Sequence, residues 1–116
     1  MPKTSKDYLP KQIKLGHFII GIELIDGALS VNIAEQQGSF VAREQIIYLD
    51  KDIMTGQPDR AIGLIIHELC HAIYYQYNLS HQSSEEDIVN AMSNGMTELL
   101  TRTDLLKYIQ HKLKEV

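Results

Sequence analysis

Apolar and polar residues alternate in two regimes along this chain. Up to about residue 49 the apolar positions come in short runs, alternating in places, the signature of strands. From residue 58 onward they recur at spacings of three and four, the signature of helices. Residues 13–25 are rich in Ile and Phe and alternate through Ile20-Gly21-Ile22-Glu23-Leu24, which predicts one strand, bent at Gly21. Asp26-Gly27 is a turn signal, and residues 28–33 alternate as a second strand. Residues 35–39 read as a polar turn, and residues 40–43 and 45–49 as further short strands or one bulged strand. Residues 1–9 are polar and read as a loose arm, and residues 50–58 as a loop.

Pro58-Asp59 suits a helix start, with Pro in the first turn and an acid against the helix dipole. That helix is predicted to reach Tyr77. Ile62, Ile65, Ile66, Leu69 and Ile73 share one face; Leu64, His67, Glu68, His71, Tyr74 and Tyr75 share the other. Apolar residues around most of the circumference mark a central, buried helix. Ser83 or Ser84 can cap a second helix that opens on Glu85, Glu86 and Asp87 and continues through Val89, Met92, Met96, Leu99 and Leu100. Thr103-Asp104 can cap a last helix over residues 105–113. The expected fold is therefore α+β: a small antiparallel or mixed sheet followed by about three helices, in one domain spanning residues 1–116.

Composition narrows the function. At 44% apolar and 22% charged residues the chain is an ordinary globular one. A net charge of −4 argues against a nucleic-acid backbone as partner. No run of 18 apolar residues is present, so no membrane span is expected, and no secretory signal is read at the start. The single cysteine, Cys70, allows no intrachain disulfide and fits a cytoplasmic setting.

One stretch carries chemistry: His67-Glu68-Leu69-Cys70-His71. Residues four apart stand one turn apart on the same face of a helix, so both imidazoles can reach one Zn²⁺. Glu68, about 100° around the helix, is placed to act as general base without ligating the metal. A catalytic zinc site normally has three protein ligands. Glu85, Glu86, Asp87, His81, Cys70 and His17 are the candidates for the third. Cys70 reads more simply as a small buried hydrophobe, and His81 as a surface histidine in a connection. The acidic trio reads more simply as dipole compensation. Apolar phase slightly favours Glu85, whereas Asn90 one turn beyond Glu86 could orient a ligating imidazole. Phase leaves the choice open.

Residues 67–96 resemble the small single-domain gluzincin metallopeptidases, which include ImmA/IrrE-type proteins and H-E-x-x-H proteins of phages and prophages. The resemblance is carried by His67-Glu68-Leu69-Cys70-His71-Ala72, then Glu86, Val89, Asn90, Met92 and Ser93. It implies zinc held by His67, His71 and Glu86, Glu68 as base, and a strand near residues 45–49 along which an extended peptide pairs. The chain departs from ImmA/IrrE proteins in having Asn90-Ala91-Met92-Ser93 in place of Asn-x-Phe-Ala, and no helix-turn-helix module is expected in residues 1–116.

The expected function is zinc-dependent hydrolysis of a peptide or protein substrate, with Tyr74, Tyr75 and His81 as candidates to stabilise the oxyanion and Arg60 and Asn78 as candidates to line the cleft. One rival is a zinc-binding interaction or regulatory protein of phage type without significant proteolysis. The other is a metal-free structural protein in which His67 and His71 are a surface pair.

Overall fold

The computed structural model describes residues 8–26 and 38–116. The strand expected over residues 28–33, Gly27 of the turn, residues 35–37 of the polar turn and residues 1–7 of the arm lie outside them. The described chain forms four strands, β1 (Gln12–Leu15), β2 (Phe18–Ile25), β3 (Gly38–Val41) and β4 (Ile46–Asp50). Four helices follow: α1 (Lys51–Gly56), α2 (Pro58–Gln76), α3 (Glu85–Arg102) and α4 (Leu105–Leu113). The fold is α+β, with a mixed sheet in the order β1-β2-β4-β3. β1 and β3 pair antiparallel to their neighbours, while β2 and β4 are parallel.

The sheet has one covered face. Ile13, Leu15, Ile20, Ile22, Ile47 and Leu49 point to it and are buried. The register sets Phe40 opposite Ile47 and Gly38 opposite Leu49, which puts β3 residues 38 and 40 on that same face. Lys14, Ile19, Glu23 and Tyr48 alternate to the other face, which is exposed or half-exposed. Each fully buried Ile or Leu contributes about 1.5–3 kcal/mol, so this one layer is a main source of stability.

Three expectations change, two of strands and one of a loop. Residues 13–25 are a hairpin rather than one bent strand: Gly16 turns at φ +60°, in the left-handed region that favours glycine. A Cβ at Gly16 would stand 2.0 Å from Gln76 Nε2, so the turn is pressed against the end of α2. β3 begins at Gly38, two residues inside the expected polar turn. Residues 50–58 are not simply a loop: the Asp50 side chain accepts the Ile53 N–H at 3.1 Å and caps α1.

α2 is the central helix, packed against α1, α3, α4, β3 and β4. It buries Ala61, Ile65, Glu68, Leu69, Ala72 and Ile73. Pro58 stands at its first turn, as its fixed φ and missing N–H favour. α3 starts at a capping box, with the Ser84 hydroxyl accepting the Asp87 N–H and the Asp87 carboxylate accepting the Ser84 N–H. It crosses α2 at Gly95, where a Cβ would stand 2.7 Å from Ile73 Cγ1. α4 spans the predicted residues 105–113. Among the described residues no helix is long and apolar enough to cross a membrane.

Candidate metal centre

His67 and His71 stand one turn apart on the exposed side of α2, and Glu68, one residue along, faces inward at 3% exposure. The two Nε2 atoms are 3.3 Å apart, with ring centroids at 4.9 Å and planes at 78°. Two nitrogens each about 2.0–2.1 Å from one tetrahedral zinc stand about 3.3–3.4 Å from each other. The pair therefore has the spacing of one edge of a zinc tetrahedron. Without a cation, one imidazole must donate an N–H to the other at this distance, since two facing lone pairs repel.

Glu68 is held from the sheet side. The Phe40 backbone N–H donates to its carboxylate. A Cβ on Gly38 would stand 3.2 Å from Glu68 Oε2 and 3.0 Å from Leu64 Cδ1, so the bare backbone of Gly38 makes room for the carboxylate. Burial raises the Glu68 pKa above the usual carboxylate value, while the neighbouring histidines and the Phe40 N–H act in the opposite direction. A carboxyl pushed upward in this way is a better proton acceptor near neutral pH.

His67, Glu68, His71 and Tyr75 from α2 line one wall of a cavity of about 470 Å³; Gly38, Ser39, Phe40 and Ala42 line the other. The strand flanking the histidines is thus β3, at one edge of the described sheet. The expectation of a pairing strand near residues 45–49 is corrected: β4 already pairs with β2 on one side and β3 on the other. Neither Gly38 nor Ser39 stood out in the sequence, because a Gly-Ser pair beside polar residues reads as a turn. Alternation of Gly38 and Phe40 toward one face was the available signal, and at four residues it is too short to stand alone.

Glu86 is not brought to the pair. It lies nine residues before Gly95, about 180° around α3 from the residue packed on α2, and it is exposed with Asn90, Ser93 and Thr97. The close approach of Gly95 to Ile73 sets this rotation. Glu85 is exposed, Asp87 is engaged in the capping box, and His81 and His17 are exposed in connections. Cys70 is half-buried, and burial raises its thiol pKa. Among the described residues no three His, Cys, Asp or Glu side chains gather where a metal could be held. Two imidazoles fit zinc; among the described residues a third protein ligand does not join them. Of the other candidates, Tyr75 lines the cavity. Asn78 belongs to a separate hollow with Asp87, Asn90 and Asn94, and the Arg60 guanidinium bonds Gln57 Oε1 at 2.9 Å.

The chain matches no protein-family model, no curated protein and no solved structure.

Proposed function

We propose that the protein is a zinc-dependent peptide hydrolase in which His67 and His71 ligate the ion and Glu68 is the general base. The observation that carries this reading is the 3.3 Å separation of the two Nε2 atoms beside a buried carboxylate that opens on the same cavity. The part of the resemblance carried by His67-Glu68-Leu69-Cys70-His71-Ala72 supports it. Bound there, zinc supplies positive charge that acidifies a water and polarises a carbonyl. Glu68 accepts the proton of the attacking water and passes it to the leaving amine. The Phe40 N–H and the slot at Gly38 keep its carboxylate aimed between β3 and the histidines. An extended peptide substrate lies along β3, whose edge carries no further strand among the described residues. A cytoplasmic location, in the bacterial host if the gene is a phage's, goes with this reading.

The two ligands found among the described residues go with one alternative, a zinc-bound interaction protein whose partner completes the coordination. Zinc content and peptide hydrolysis of wild type, His67→Ala, His71→Ala and Glu68→Gln separate the two. The hydrolase reading expects zinc to be lost from both histidine variants, and Glu68→Gln to keep zinc and lose hydrolysis. Equal hydrolysis by wild type and Glu68→Gln ends it; zinc without hydrolysis in wild type supports the interaction protein.

A further inference from the structure

We infer that the peptide side chain seated beside the histidines is uncharged and large, aromatic or branched aliphatic, and that Tyr75 and Phe40 select it. This rests on the peptide-hydrolase reading and names the class of residue that reading leaves open.

Tyr75 follows His71 by one helical turn on the same face of α2. A helical side chain covers the turn before its own Cα, so the Tyr75 ring leans toward His71. Its ring centroid is 5.6 Å from that of Phe18 and 6.0 Å from that of Phe40, the latter edge-on. Two neighbouring rings thus support Tyr75, yet the residue keeps 48% of its surface exposed and lines the cavity. Supported on one side and open on the other, it presents a fixed aromatic face to whatever occupies the space. Phe40, from β3, also lines the cavity and meets the Tyr75 ring edge-on. Tyr75 and Phe40 together form the aromatic end of the cavity.

The charge pattern points the same way. Among the described residues no Lys or Arg lines the cavity, and the one carboxylate there, Glu68, is buried and already accepts the Phe40 N–H. The rest of the strand wall is Gly38, Ser39 and Ala42, small residues that leave room. At the Tyr75–Phe40 end of the cavity a charged side chain would give up hydration for contact with two rings. An aromatic or branched aliphatic one gains edge or face contact with two rings. A volume of about 470 Å³ admits such a side chain with part of the adjoining backbone.

The test is a panel of blocked tripeptides that differ only at the central residue: Phe, Leu, Ala, Lys or Asp. Binding is measured on Glu68→Gln protein, with and without added zinc, so that cleavage does not intervene. Phe and Leu peptides are expected to bind about 10-fold or more tightly than Lys and Asp peptides. Adding Tyr75→Ser should flatten the series, whereas adding Tyr75→Phe should preserve it. Circular dichroism of each variant checks the fold, and the panel on the Glu68→Gln parent decides the matter without any change at Tyr75. Equal binding of all five peptides, or an undiminished preference in folded Tyr75→Ser protein, overturns the inference. Zinc content of the same samples reads the hydrolase proposal separately. Zinc bound with a flat series removes only the selectivity; a clear series with no zinc at either concentration keeps the aromatic subsite and removes the metal chemistry.

Discussion

Glu68 and Lys112 are the two buried charged side chains among the described residues, at 3% and 0% exposure, and their surroundings differ in kind. Burying either one unpaired would cost several kcal/mol. Lys112, in the last turn of α4, donates from Nζ to the Met54 carbonyl at 2.7 Å and lies 3.6 Å from Glu115 Oε1. Its partners are the carbonyl end of α1 and a carboxylate, the sites a lysine stabilises best. Glu68 receives one backbone N–H and otherwise faces a cavity shared with two histidines. A buried charge matched by its own fold ties elements together. A buried charge only partly matched, with open space before it, is available for chemistry.

That contrast can be broken most sharply at Glu68. Glu68→Gln is expected to lower peptide hydrolysis by about 10²–10⁴-fold with zinc content and circular dichroism unchanged. Because burial raises the Glu68 pKa, its ionised form opposes folding: this group favours the fold at low pH and does so less as pH rises through its folded-state value. Glu68→Gln should therefore unfold at a denaturant concentration no lower than wild type near pH 7. A clearly less stable variant would put Glu68 in the same structural class as Lys112.

Lys112→Ala should do the reverse, lowering unfolding free energy by about 2–4 kcal/mol through an unbonded Met54 carbonyl and a cavity. Zinc per folded molecule should stay at the wild-type ratio. Loss of zinc from folded Lys112→Ala would join the two regions that the contrast separates.

Tyr108 extends the structural side. It is 1% exposed on the same helix as Lys112, and burial, with a smaller effect from the Glu115 charge, pushes its pKa up to about 12. The unfolded chain ionises this phenol near pH 10, so its contribution is complete below pH 10 and is lost as pH rises toward 12. Chemical denaturation across that window should show about 1–3 kcal/mol lost in wild type and a flatter profile in Tyr108→Phe.

The smallest effect is expected at Gly38. An added methyl in Gly38→Ala crowds Glu68 Oε2 and Leu64 Cδ1. Hydrolysis should fall about 10-fold, since the base is displaced by a fraction of an ångström, while zinc remains. Unaltered hydrolysis would show that Glu68 does not depend on the slot in β3.

Much of this was legible before any coordinates. The α2 period, Pro58 at its start, a serine cap at Ser83 or Ser84 and the extent of α4 are local patterns, each written in residues a few positions apart. So is the placement of His67 and His71 on one face, because helical periodicity alone puts residues four apart together. The hairpin at Gly16 was hidden, since Gly16-His17 sits inside one apolar run without the Asn, Asp or Ser that marks a turn most plainly, and the close approach of Gln76 comes from 60 residues away. The Asp50 cap was hidden because six residues of helix are too few to show a period.

Periodicity says which residues of one element share a face; it does not say what that face meets. The two imidazoles and the neighbouring carboxylate were therefore readable from residues 67–71 alone. That Glu68 points inward against β3, that β3 and not β4 flanks the histidines, and that Glu86 turns away all depend on contacts between elements distant in the chain. The Gly95–Ile73 contact sets the rotation of α3, and the strand order sets which strand stands at the edge among the described residues. Those contacts arise from packing the whole core at once, which no window of a few residues contains.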